Sequence, residues 1–371
     1  MAFDVRRRMI SPIILLLLST TFALTVVELS LRASGIGYGN APQEPHSIFH
    51  HVHPANYRFV SHTPTGEYGG HDIYYDGDRL VANPSLTHAE NDASACRVAF
   101  LGDSFTEAGQ VAFDNSFVGI LQRESDCIVK NYGMSSYSPI LYLLQWQRIV
   151  RDFNPSLVVV QLYGNDIASD EACEAIARKD THGKVIAIPG TEGGWVTQQL
   201  RKSYLMRFLR KVQLQLLWMY DNKGKEKDVV AGIVEENPDI TTLSARLIIQ
   251  LAKEVQDSGA QFVLTAVPSK VRIVKNITDN QMPQFSDKWK LLAQQHNITF
   301  MDLTEPFERE AEAGFQPFFD RDIHFNENGH IVFASELSKL HPHLLGPIPR
   351  SRLTRRSIGQ GSLVAGEQPV Q

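Results

Sequence analysis

The stretch RVAFLGDSFTEAG, residues 97–109, decides the fold of this chain. Its four apolar residues, 98–101, predict a short buried strand, and Gly102-Asp103-Ser104 follows without a spacer. Since Gly102 lets the backbone turn sharply, Ser104 is expected at the carboxyl end of that strand, where open α/β sheets bind ligands. Gly, Asp and Ser also form ordinary turns, so the downstream partners of Ser104 decide its role.

A rhythm of apolar runs and amphipathic segments continues after this stretch. Further buried strands are predicted in CIVKNYG, SLVVVQLYGND, QFVLTAV and ITFMDL. Helices are predicted between them, one of which, from Ser138, should turn Leu141, Leu144 and Ile149 inward. The pattern predicts a three-layer α/β/α sandwich with a doubly wound, parallel five-stranded sheet. Right-handed crossovers would then bring Ser104, Gly133 and Asn165 to one rim.

The N-terminus predicts a membrane segment. Three arginines, residues 6–8, precede an uncharged run from Met9 to Val27, whose length suits the roughly 17–25 residues that cross a bilayer. We expect residues 1–8 in the cytoplasm, an anchor at 9–31, and a periplasmic or extracellular catalytic domain. A cleaved signal peptide, with Thr21-Phe22-Ala23 as a weak cleavage site, is the alternative.

The remaining segments have weaker signals. Residues 32–95 predict an extended segment packing on the core domain, 96–346. Its dense histidines at positions 46, 50, 51, 53 and 62 have no spacing typical of a closed zinc site. An insertion at about 167–238 should contain a polar loop, a small hairpin around GKVIAIPG, and a basic amphipathic segment at 196–220. That segment either lies on a membrane surface or packs on its own domain with its charges in water. The polar tail, 347–371, predicts disorder.

Composition sets further limits. The formal net charge of −5 is not typical of a nucleic-acid-binding protein, and nothing in the sequence indicates an oligomeric state. Cys96 and Cys127 each begin an apolar run that ends in glycine, so neighbouring parallel strands would bring the two cysteines together. We therefore expect a Cys96–Cys127 disulfide, which suits an exported protein, and leave Cys173 without a role.

The polar residues at the predicted rim suit acyl transfer to a serine. Ser104 supplies a hydroxyl, and His324, just before the last predicted helix, is the natural base. The oxyanion would be bound by the N–H groups of Ser104 and Gly133 and by the side-chain amide of Asn165.

Together, GDSFTEAG, NYGMSSYS, YGND and DIHFNENGH resemble the motifs of the SGNH (GDSL) hydrolase superfamily, over roughly residues 97–345. The resemblance implies a flavodoxin-like sandwich and ester hydrolysis by a Ser-His-Asp site without metal or cofactor. Many members place Asp three residues before the histidine, but here that position is Arg321. Asp322 is the favoured acid and Asp320 the alternative. The chain also lacks the GxSxG elbow of the α/β-hydrolase fold.

These patterns predict a membrane-anchored, exported serine esterase. Its expected substrates are O-acyl esters, such as acetyl groups on cell-envelope or secreted polysaccharide, a class indicated by the expected location alone. Two alternatives stay open. An O-acyltransferase would use the same site with a sugar hydroxyl in place of water, and a non-catalytic envelope protein would use the fold to bind glycans.

Overall fold

The computed structural model describes residues 2–34, 41–62, 67–85, 96–191, 199–200, 202–221, 242–275 and 285–348. The chain forms two compact units. The larger comprises Gln43–Arg58, Ile73–Thr191 and Asp228–Gln371, and the smaller comprises Met1–Pro42, Phe59–Asp72 and Glu192–Lys227.

Twelve strands and twelve helices are named here in chain order within the described residues. The strands are β1 (Glu44–His46), β2 (His50–Val52), β3 (Tyr57–His62), β4 (Gly69–Tyr75), β5 (Val81–Ala82), β6 (Arg97–Leu101), β7 (Ile128–Asn131), β8 (Leu157–Leu162), β9 (Arg178–Lys179), β10 (Val185–Ala187), β11 (Gln261–Ala266) and β12 (Thr299–Met301). The helices are α1 (Ala2–Ala33), α2 (Ser104–Glu107), α3 (Phe117–Glu124), α4 (Pro139–Gln145), α5 (Asp166–Ile176), α6 (Tyr204–Asp221), α7 (Leu243–Asp257), α8 (Lys270–Lys275), α9 (Phe285–Gln295), α10 (Thr304–Glu312), α11 (Glu327–Leu340) and α12 (Pro342–Leu345).

The central sheet has eight strands in the order β12-β11-β8-β6-β7-β5-β4-β3. The five predicted strands form its parallel part, from β12 to β7, and β5 adds antiparallel to β7. The expectation of a five-stranded sheet is therefore wrong, because strands from the segment before Cys96 extend one edge. Counted in their own chain order, the parallel strands run 2-1-3-4-5, which puts the topological switch point between β6 and β8.

Both faces of the parallel sheet are buried, which explains the nearly continuous apolar strands. On one face, Val98 and Phe100 belong to a core with Phe117 of α3 and Phe333 of α11. On the other face, Ala99 and Leu101 belong to a core with residues of α4 and α7. The alternation along β6 thus produces the three layers, with helices on both sides of the sheet.

A disulfide joins Cys96 to Cys127, whose Cα atoms are 4.7 Å apart. The two cysteines precede β6 and β7, which pair in parallel with Arg97 opposite Ile128. The bond therefore lies at the amino-terminal edge of the sheet, and Cys173 is a free, half-buried cysteine.

Several local predictions have different outcomes in the structure: some are confirmed and others are wrong. The hairpin around GKVIAIPG is present as antiparallel β9 and β10, but the predicted polar loop from Ile167 belongs to helix α5. Ile149 is 37% exposed, because a π-helical turn at 146–150 follows α4 and rotates it away from the core. The tail beyond residue 348 lies outside the described residues.

In the smaller unit, α1 contains the predicted anchor. Its segment Pro12–Ala33 is long and apolar enough to cross a membrane, and none of it is buried. A signal sequence near an N-terminus would have the same length and composition.

Candidate active site

Ser104 is the first residue of α2, directly after β6. Asp103 caps this short helix by accepting the Phe105 N–H at 2.9 Å. A Cβ on Gly102 would lie 2.0 Å from Thr106 Oγ1 and 3.2 Å from the Gln161 carbonyl, so only glycine allows α2 this close to β8. The local sequence thereby holds the Ser104 hydroxyl at the switch point of the sheet.

The structure brings Ser104, His324 and Asp322 into one hydrogen-bonded line. His324 Nε2 lies 2.8 Å from Ser104 Oγ, and His324 Nδ1 lies 2.5 Å from Asp322 Oδ1. The same carboxylate oxygen accepts the His324 backbone N–H at 2.9 Å. Since a carboxylate only accepts, Nδ1 carries the proton and Nε2 is the acceptor for the serine hydroxyl.

The loop that carries the histidine is held from two sides. Lys270 Nζ, at the start of α8, donates to the backbone carbonyls of both Asp320 and Asp322, each at 2.9 Å. Asn326 Nδ2 donates to the Gln316 and Phe318 carbonyls while its Oδ1 caps α11. The Asp320 residue itself is exposed, and its carbonyl rather than its carboxylate takes part in this arrangement.

Asn165 lies at the end of β8, next to the strand that carries Ser104. It is exposed and its side chain makes no capping bond to α5, although it occupies the position before that helix. Tyr163, two residues earlier, packs on Phe105 with ring centroids 4.6 Å apart. The Asn165 amide is thus on the same edge as the serine, facing solvent.

Gly133, the expected oxyanion donor, gives its N–H to Asn131 Oδ1 at 2.9 Å, within its own loop. A Cβ at Gly133 would lie 2.5 Å from Glu107 N and 2.7 Å from the Thr106 carbonyl carbon. The glycine therefore lets the loop after β7 pack directly against α2. Three residues later, Ser136 is exposed and has a φ of 68°, in the left-handed region.

The buried ion pair between His53 and Glu107, the last residue of α2, was not predicted from the sequence. The Glu107 carboxylate accepts bonds from Tyr75 Oη at 2.9 Å and from Ser135 N at 2.7 Å, and His53 Nε2 lies 3.1 Å away. Burial by itself raises the pKa of Glu107, but the His53 charge and the bonds from His53 and Ser135 outweigh it and lower the pKa to about 2. Glu107 thus joins the histidine-rich segment to the helix of Ser104.

Buried carboxyl groups surround the same strand ends. Burial raises the pKa of Asp103 to about 6, and burial together with the nearby Asp103 charge raises the pKa of Asp166 well above its usual range. Burial also raises the pKa of Asp170 to about 6. Burial thus raises the pKa of all three groups, whereas the pKa of Glu107 is lowered.

Two histidines of the 32–95 segment, His51 and His53, have structural partners. His51 Nε2 lies 2.8 Å from the Ser135 carbonyl, and His53 pairs with Glu107. Within the part of the chain that the structure describes, no three His, Cys, Asp or Glu side chains are grouped as a metal site would need.

A serine, an imidazole and a carboxylate in one line at the switch point of an α/β sheet match the arrangement that serine hydrolases use. The sequence model of the GDSL-like Lipase/Acylhydrolase family matches residues 100–332, more than half of the chain. The chain belongs to this family. Compared with curated protein sequences, it has no significant match.

Solved structures give fold neighbours of low similarity. TesA is 14% identical, with a TM-score of 0.38, and the match covers 67% of this chain and 99% of TesA. The enzyme LAE5 from the metagenome of Lake Arreo, Spain, is 16% identical, with a TM-score of 0.37 and coverages of 66% and 95%. A catalytic mutant of Axe2, an acetylxylan esterase from Geobacillus stearothermophilus, is 16% identical, with a TM-score of 0.38 and coverages of 66% and 94%.

Proposed function

We propose that the chain hydrolyses O-acyl esters with Ser104 as nucleophile, His324 as general base and Asp322 as the residue that orients the base. The hydrogen-bonded line from Ser104 Oγ through His324 to Asp322 Oδ1 is the observation that carries this proposal. As Oγ attacks the ester carbonyl carbon, His324 Nε2 takes the hydroxyl proton, and Asp322 stabilises the imidazolium.

The same groups complete the turnover. The imidazolium returns its proton to the leaving alcohol oxygen, which leaves the acyl group on Ser104. Water then attacks the acyl carbonyl, gives a proton to His324, and the released Ser104 oxygen takes that proton back. The negative oxygen of each tetrahedral intermediate needs nearby donors, and the Ser104 N–H and the Asn165 amide are available for it. We assign Gly133 to packing of the loop against α2, since its N–H is used by Asn131.

We further propose that α1 anchors the enzyme and that the domain at 96–346 acts outside the cytoplasm. The exposed apolar surface of α1 and the disulfide between Cys96 and Cys127 support this location, because disulfides persist in oxidising compartments. Acylated polysaccharide of the cell envelope or secreted by the cell is the substrate class that such a location supplies.

Turnover of a short-chain aryl ester by the full chain tests the mechanism. Ser104→Ala should lower kcat by about 10⁴-fold or more, because it removes the nucleophile, while circular dichroism stays unchanged. Turnover that survives in Ser104→Ala would overturn the mechanism.

With an acetylated glycan and an acceptor glycan both present, free acetate should be the main product. Acyl transfer that exceeds hydrolysis would instead identify an acyltransferase.

A further inference from the structure

The basic amphipathic helix α6 begins where α1 ends. Glu28, near the C-terminal end of α1, accepts the Ser203 hydroxyl at 2.8 Å and the Leu205 N–H at 2.7 Å. It also accepts the Tyr204 N–H at 3.2 Å. These are the free donors at the start of α6, so a residue of the apolar helix serves as the N-terminal cap of the basic one.

Arg32 strengthens this junction. Its guanidinium donates to Glu28 Oε1 at 2.6 Å and to the Lys202 carbonyl at 3.1 Å, and it lies over the Tyr204 ring at 5.2 Å. The start of α6 is therefore fixed at the last turns of α1. If α1 spans a bilayer, this level is the boundary between hydrocarbon and water.

One face of α6 is apolar and exposed. Met206, Leu209 and Leu216 are 40%, 47% and 56% exposed, and their spacings of three and seven residues place them on one side of the helix. Arg210, one residue after Leu209, is also exposed and is held by a bond from its Nη1 to Gln213 Oε1 at 2.8 Å. An exposed apolar stripe beside a guanidinium matches the acyl chains and phosphates of a lipid surface.

We infer that α6 is a second membrane contact, which lies in the interface of the bilayer that α1 crosses, with Met206, Leu209 and Leu216 among the lipid chains. This inference rests on the proposal that α1 is an anchor. It selects the membrane-surface alternative for the basic segment. The occupant of the apolar stripe is phospholipid because α6 starts at the last turns of α1, whose apolar segment is nowhere buried in the protein.

Depth measurements on the full chain in vesicles of phosphatidylcholine and phosphatidylglycerol test the inference. Single cysteines replace Leu209, Leu216 or Phe22 in a Cys173→Ser background, and each carries an environment-sensitive fluorophore. Leu291→Cys on α9 is the matched control, since Leu291 is 55% exposed and therefore resembles Leu216 at 56%. Retained ester hydrolysis checks that each labelled variant is folded.

Lipids brominated on their acyl chains should quench the fluorophores at Leu209, Leu216 and Phe22, while the fluorophore at Leu291 keeps its intensity. If the fluorophore at Phe22 is quenched but those at Leu209 and Leu216 behave like the one at Leu291, α6 does not contact lipid and the inference fails alone. If the fluorophore at Phe22 is also unquenched, the anchor proposal fails with it. Ester hydrolysis depends on neither outcome.

Discussion

A hydrogen bond to the His324 ring distinguishes Asp322 from its neighbour Asp320 as the candidate acid. Asp320 and Asp322 lie on the same short loop, and both are near the histidine in sequence. Asp322 directs Oδ1 to both the ring and the backbone N–H of His324, whereas Asp320 is exposed and contributes its carbonyl to Lys270. Spacing alone could not distinguish them, because the choice depends on the local backbone turn.

Asp322→Asn should therefore lower kcat for an aryl ester by about 10²–10⁴-fold, because an amide cannot stabilise the imidazolium and favours the wrong tautomer. Asp320→Asn is the matched control and should leave kcat close to wild type. Initial rates of both variants, with circular dichroism to check folding, make the comparison. A larger loss in Asp320→Asn would reverse the assignment.

At the scale of elements, the sequence predicted best where burial dominates. Continuous apolar runs occur in β6, β8 and β11 because both faces of the sheet are covered. These runs were enough to predict the order of strands and helices along the chain. Helix α5 was missed because it is rich in acidic residues and buries only Asp166, Ile167 and Asp170, so its sequence is typical of a polar loop. The two-residue strand β5 was missed because so short a segment shows no periodicity.

The residues of the candidate site could be predicted in part, as could the elements of the fold. Ser104 and Asn165 follow from motifs at strand ends, since the carboxyl ends of parallel strands share one edge, and His324 follows from the motif just before the last helix. The use of the Gly133 N–H by Asn131 and the ion pair between Glu107 and His53 could not be predicted. The contact between His53 and Glu107 joins segments that are distant in sequence and meet only after the sheet is formed, whereas the Asn131 bond is local and depends on the backbone turn after β7.

The contact between α2 and the loop after β7 allows no added atom at Gly133. Gly133→Ala should lower kcat by about 10²-fold, because the new methyl group meets the backbone of Thr106 and Glu107 and displaces the helix that holds Ser104. The matched control is Gly109→Ala, where a Cβ would meet Ile73 Cδ1 at 3.5 Å, an ordinary contact. Kinetics and melting temperature should be near wild type for Gly109→Ala. Equal kinetics for the two variants would contradict the packing role.

At the scale of the whole molecule, the Cys96–Cys127 disulfide cross-links the larger unit. It closes a loop with a sequence separation of 31 residues between Cys96 and Cys127. By the entropy of loop closure, its reduction should lower the free energy of unfolding by about 4 kcal/mol. Urea unfolding with and without a reductant measures this difference, and Cys173→Ser under both conditions controls for the free thiol. An unchanged midpoint on reduction would show that the bond does not stabilise the domain.

Ser104 and His324 are 220 positions apart in the chain, yet they share one hydrogen bond. Helix α11, which follows His324, packs Phe333 on Phe117 with ring centroids 4.1 Å apart, and so brings the late part of the chain onto the early part. During synthesis, the serine emerges long before His324, its proposed base. By the proposed mechanism, a nascent chain cannot cleave esters until its final third has folded onto the earlier part, so the order of residues along the chain delays activity until folding is nearly complete.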